Sequence, residues 1–212
     1  MDLSDTFLKG NEQFYASLLE EHGETAAGVG WKTDENRDVR FAQMHKLIAP
    51  DTSYSLNEIG CGYGAFLEYL QGQGHIVRYC GFDLLPAMLE AARKRHRASE
   101  ECAWVSQIDA MPIADYTVAI GTYNFKGDYS DVAWFDIVLG YLHKMRALST
   151  KGFAFGMRSS YSDPAFRKPG IYHADPLRWF DVCKQEFSSD VALLHDYGHY
   201  DFTMLVRLPA SQ

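Results

Sequence analysis

The sequence predicts an α/β fold, a single sheet of about seven strands with helices on both faces, and three observations predict it. From about residue 54 to residue 187, apolar strand-like runs alternate with segments of helical spacing. That is the pattern of parallel strands wound by crossover helices. The first strand runs into a glycine-dense turn, Gly60-Cys61-Gly62-Tyr63-Gly64, followed by helical Leu67-Glu68-Tyr69-Leu70, which opens a nucleotide-binding βαβ unit. The last two strand patterns, 190–195 and 202–208, lie too close together for a crossover helix, so they form an antiparallel hairpin.

The elements follow in order. Residues 4–22 read as an amphipathic helix: Ser4 or Asp5 caps it, Phe7, Phe14, Leu18 and Leu19 lie near one face, and Gly23 stops it. A second helix is expected over about 34–49, with Asp34 as its cap, Phe41, Met44 and Ile48 at apolar spacing, and Pro50 as its stop. Residues 1–50 are therefore an N-terminal helical extension, either a lid over a ligand or plain packing helices, ahead of a main domain over 51–212. Strands are expected at 54–59 and 76–82, with helices at 63–73 and 85–98, the latter with Pro86 in its first turn. Further strands fall at 103–108, 116–120 and 153–157, and a long helix at 131–148 carries Phe135, Val138, Leu142 and Met145 in register. Residues 159–174 form a polar, aromatic loop of the length that tends to be functional. Asp175-Pro176 then caps and opens a helix through Phe187.

Composition narrows the class. With 212 residues, 47% of them hydrophobic and 23% charged, the chain fits one soluble domain with a full core. A net charge of −8 weighs against nucleic acid or an anionic membrane as partner, since both are held by basic patches. The run Arg93-Lys94-Arg95-His96-Arg97 reads as a solvated helix face. The four cysteines form no C-x-x-C pair and read as reduced, buried thiols. The acidic N-terminus has no signal-type apolar stretch, and no apolar run reaches the ~18 residues of a membrane span. The expected compartment is the cytoplasm. No Cys/His or Asp/Glu set has metal-ligand spacing; His195 and His199 are four apart, but Gly198 and the hairpin forbid a helix between them.

The nucleotide is read from the residues around the glycines. Gly60-x-Gly62-x-x-Ala65 matches a dinucleotide fingerprint, and Asp83 ends strand 2 where a carboxylate accepts ribose hydroxyls for either kind of cofactor. Three further features separate the two. Glu58 precedes the glycines, giving E-x-G-x-G-x-G, and a carboxylate there suits a cationic amino-acid end rather than a pyrophosphate. Asp109 follows strand 3, where it can accept an adenine amino group. The closing hairpin leaves no residues for a separate substrate domain.

At these residues the chain resembles the class I, Rossmann-like S-adenosylmethionine-dependent methyltransferases, from about 54 to 208. The resemblance implies strand order 3-2-1-4-5-7-6 with the seventh strand antiparallel. It implies S-adenosyl-L-methionine as cofactor and S-adenosyl-L-homocysteine as product. It places Gly60, Cys61 and Gly62 along the methionyl part and ribose, Glu58 near the cofactor's amino group, Asp83 with Leu84 at the ribose diol, and Ile108 and Asp109 at the adenine. Gly121 and Thr122 fall at the methyl-transfer end. The chain also looks like a group of small bacterial methyltransferases through Phe14-Tyr15, His22-Gly23, Val29-Gly30-Trp31, Arg40-Phe41 and the segment from His195 to Arg207.

The expected function is methyl transfer to a small organic acceptor, in a monomer or homodimer. The alternative is a cofactor-binding pseudo-enzyme or partner subunit without turnover, and a nicotinamide-dependent reductase is a distant third. Thr122-Tyr123-Asn124-Phe125 lacks the prolines of base-modifying amino-methyltransferases. Candidate catalytic residues are Tyr123, His173 and His199, with Tyr161 and Tyr172 on the same edge.

Overall fold

The computed structural model describes residues 3–48, 52–97 and 101–209. Its seven strands are β1 (Ser53–Ile59), β2 (Ile76–Phe82), β3 (Cys102–Val105), β4 (Ala114–Ile120), β5 (Ser149–Arg158), β6 (Asp190–Leu194) and β7 (Asp201–Arg207). They make one sheet in the order β3-β2-β1-β4-β5-β7-β6. The strands from β3 to β5 pair in parallel, and β7 runs antiparallel to both β5 and β6. The helices are α1 (Asp5–His22), α2 (Asp34–His45), α3 (Ala65–Gly72), α4 (Pro86–Arg95), α5 (Asp131–Ala147) and α6 (Pro176–Glu186).

Local chemistry sets the helix ends. Ser4, Ser130 and Asp175 accept backbone N–H groups at the starts of α1, α5 and α6, and Pro176 occupies the first turn of α6. Helix α2 departs from expectation at both ends. Thr33, not Asp34, caps it, its Oγ1 accepting from Asn36 N at 3.1 Å. The helix stops at His45 and the chain continues in turns to Ile48; the expected stop at Pro50 lies outside the described residues. Strand β3 is shorter than expected because the chain breaks into a 3-10 turn at Ile108–Ala110.

Two cores flank the sheet. On one face, Trp134, Val138, Leu142 and Met145 of α5 and Trp179 and Cys183 of α6 pack on Phe153, Phe155 and Phe202. On the other, Phe66, Leu67 and Leu70 of α3 and Leu89 of α4 pack on Leu56, Tyr79 and Val118. Phe41 and Met44 of α2 belong to this second core, where α2 lies against β4, β5 and β7. So α2 completes the second helical layer, while α1 sends Phe7 into the first core. The central strands are buried almost throughout, which explains their continuous apolar runs. No helix among the described residues is long and apolar enough to cross a membrane.

Candidate active site

The sheet order reverses between β1 and β4, and ligands in open α/β sheets bind in the crevice at such a switch point. Here the turn after β1 meets the turn after β4: Thr122 Oγ1 donates to Ile59 O at 2.8 Å. Gly60 has φ 75°, and a Cβ there would lie 2.5 Å from Thr122 Oγ1. Only glycine fits that conformation and that approach. Gly121, with φ 73°, is covered in the same way by the Trp31 indole, 2.5 Å from where its Cβ would be.

Along this crevice lies a cavity of about 390 Å³. Its floor is the glycine turn with Glu58, Ile59, Gly60, Cys61 and Gly62; Asp83, Leu84 and Met88 form one end. Gly121, Thr122 and Asn124 border the middle, and Phe125, Trp134 and Arg158 the other end. Residues of the N-terminal extension complete the wall, among them Asn11, Tyr15, Val29, Trp31 and Arg37.

Two buried carboxylates dominate one half. Asp83 Oδ2 accepts the Gly62 N–H at 2.9 Å and Oδ1 accepts that of Leu85 at 3.0 Å. Burial raises its pKa, and these backbone donors pull it back. A carboxylate has about four acceptor sites, so these backbone donors leave at least one for a ligand hydroxyl. Glu58 is 3% exposed and accepts the Tyr79 hydroxyl. Burial, against the pull of that hydrogen bond and with the help of Asp83, pushes it up to about 8. Across the cavity, burial and the Asp83 charge push the Tyr15 phenol up to about 12.

Of the residues singled out in the sequence, Glu58, Gly60, Cys61, Gly62, Asp83, Leu84, Gly121 and Thr122 border this one cavity. Ile108 and Asp109 do not. The 3-10 turn after β3 directs the Asp109 side chain outward, where it is 84% exposed and takes a 2.9 Å ion pair from Lys144 at the end of α5. Tyr123 borders the cavity, but its hydroxyl points away into the core and donates to Met145 Sδ at 3.3 Å. His173 lies behind β5, and burial and the charges of Arg158 and Arg167 hold its pKa below the ordinary value against the Ser159 backbone. His199 sits on the α2 side, its Nδ1 3.4 Å from Asn36 Nδ2. Tyr161 is exposed and Tyr172 belongs to the core. None of these last four borders the cavity, and among the described residues no histidine does.

Residues that sequence reasoning left without a role come from the extension, the end of β5 and the late loop. Tyr15 and Trp31 stood in motif segments of the N-terminus, which was the available signal. Arg37, Arg158 and Lys168 carried none. Among the described residues there is no cluster of three metal-ligating side chains.

Comparison with known proteins agrees with this geometry. A methyltransferase domain family matches residues 57–148. Rv1506c of Mycobacterium tuberculosis, a protein provisionally named a methyltransferase, is 42% identical over 164 residues, covering 76% of this chain and 98% of the relative. Among solved structures, the N-methyltransferase NodS from Bradyrhizobium japonicum, bound to S-adenosylhomocysteine, superposes with a TM-score of 0.66 at 15% identity. The match covers 93% of this chain and 98% of that one. The DhpI-SAM-HEP complex superposes with a TM-score of 0.68 at 11% identity, over 98% and 100% of the two chains.

Proposed function

The chain belongs to the class I S-adenosylmethionine-dependent methyltransferases, and on that premise we propose that it transfers a methyl group to a small organic acceptor seated in the aromatic half of the cavity. The observation that carries the cofactor site is the Asp83 carboxylate, buried at the end of β2, braced by Gly62 N–H and Leu85 N–H and with acceptor capacity left for a ligand. The residues fit the cofactor: Asp83 suits a ribose diol, Glu58 a cationic amine, and Leu84, Leu85 and Met88 an apolar shelf for a flat base. When bound, S-adenosylmethionine supplies a sulfonium methyl that is already activated.

What remains for the chain is positioning and exclusion of water. The Gly60 turn brings backbone against the ligand with no Cβ between. Trp31, held over Gly121, and Tyr15, facing Asp83, close the wall from the N-terminal side. With no histidine at the cavity wall among the described residues, the acceptor's own ionisation supplies the nucleophile, and an acceptor deprotonated at working pH fits. The concave, aromatic-lined cavity favours a metabolite over a macromolecule, and a secondary metabolite is the class we favour.

Isothermal titration tests this reading. Both S-adenosylmethionine and S-adenosylhomocysteine are expected to bind at sub-millimolar concentration. Asp83→Ala is expected to weaken both by about 100-fold, the loss of two hydrogen bonds to a charged group, and Asp83→Asn by less. If neither compound binds the intact protein at millimolar concentration, the reading fails.

A further inference from the structure

The ionisable groups of the cavity divide between its two halves. Glu58 and Asp83 stand at the cofactor end; at the other end the charged groups are Arg158 and Lys168. Resting on the reading above, we propose that the acceptor carries a carboxylate gripped by Arg158 and Lys168, on a flat apolar body that lies against the Phe14–Phe125 wall.

The availability of these two cations carries the inference. Arg37, the third cation at the cavity, is already committed to Asp34 and Asp38 at 2.8 Å each and to the Tyr63 hydroxyl. Arg158 makes one looser ion pair, from Nε to Asp201 Oδ1 at 3.7 Å, with a carboxylate that also pairs with Arg40; its two terminal nitrogens have no acidic or hydrogen-bonding partner among the described residues. Among the described residues the Lys168 ammonium has no acidic or hydrogen-bonding partner. An arginine with free terminal nitrogens is suited to bidentate grip of a carboxylate.

Both positions are held. Arg158 ends β5, and its N–H donates to Asn124 Oδ1 at 2.7 Å. The loop bearing Lys168 is docked on the chain after β4: Gly170 O accepts from Lys126 N at 2.8 Å and Gly127 N at 3.1 Å, and Phe125 bridges Ile171. Beside them Phe14 and Phe125 stack with centroids 5.3 Å apart and planes within 11°. That gives a flat surface for a planar body.

The test uses matched pairs, 4-hydroxybenzoate with 4-hydroxybenzamide and 2-naphthoate with 2-naphthamide, titrated into protein saturated with S-adenosylhomocysteine. The acids are expected to bind about tenfold or more tightly than the amides. Arg158→Gln should remove about tenfold of acid affinity, and Lys168→Gln, at a more exposed site, about threefold. Neither should change amide binding, and raised salt should weaken the acids alone. Equal binding of acids and amides overturns the proposal. So does absence of acid binding at millimolar concentration, or unchanged acid affinity in Lys168→Gln together with Arg158→Gln. The preliminary titration separates the two readings. If S-adenosylhomocysteine itself does not bind, the function reading fails and this inference with it; if it binds and the acids show no preference, only this inference fails.

Discussion

Glu58 shows what a fold can do to one residue. In the unfolded chain its carboxyl ionises near 4.5, whereas burial holds it up to about 8 in the native state despite the Tyr79 hydrogen bond. Between those values the native protein holds a proton that the unfolded chain releases, so this group lowers stability progressively as pH rises through the window. The ligand-free protein is therefore expected to melt at a lower temperature at pH 8 than at pH 5, with a shallower decline in Glu58→Gln, which keeps the Tyr79 hydrogen bond and removes the titration. Equal slopes in the two melting series would count against the assignment. Residue-level reading is also where two expectations turned out otherwise. Asp109 follows β3 in sequence as anticipated, but the 3-10 turn rotates its side chain toward Lys144. Tyr123 follows β4, but its phenol packs toward Met145 and away from the cavity.

At the scale of elements, α2 is the piece that joins the extension to the sheet. Met44 packs so close to the sheet that a Cβ on Gly156 would lie 2.9 Å from its Cε. Arg40 pairs with Asp201 at the start of β7, and its guanidinium lies 4.4 Å over the Trp31 ring. Both members of the pair are buried, so removing one leaves a charge with no counter-ion in a poorly solvated place. Arg40→Leu is expected to cost about 3–5 kcal/mol in chemical denaturation, toward the lower end because Arg158 remains 3.7 Å from Asp201. The double variant Arg40→Leu, Asp201→Leu should recover most of that loss. A double variant no more stable than Arg40→Leu would mean that the pair contributes through something other than charge compensation.

For the whole molecule, cavity and core are one structure: Phe82, Trp134 and Tyr123 belong to the core that packs on α5 and also border the cavity. A ligand in that cavity binds the folded state alone, and its free energy adds to global stability. S-adenosylhomocysteine at about 100 times its dissociation constant should add about 2.7 kcal/mol. For a chain of this size that corresponds to a rise of roughly 5–11 °C in melting temperature. Calorimetry that finds no rise at that concentration would mean that the ligand does not bind the folded chain in preference to the unfolded one, and so does not occupy a site formed by folding.

Sequence alone determined the order of strands and helices, the closing hairpin, and the turn from Gly60 to Gly64 with Glu58 and Asp83 around it. These depend on local chemistry: periodicity, caps, and backbone angles open only to glycine. The residues expected at the cofactor from β1, β2 and β4 lie at the ends of strands adjacent in the sheet, and they border one cavity. Tertiary structure alone decided the rest. Nothing local shows that α2 completes a layer over β4, β5 and β7, or that Tyr15 and Trp31 reach a turn far along the chain. Nor does spacing reveal which cations find partners: Arg37 is spent on its neighbours, while Arg158 and Lys168 reach the cavity wall because of where β5 and the late loop bring them. Such facts arise from contacts between segments distant in sequence, and direction of a side chain within them is set by packing, which periodicity does not encode.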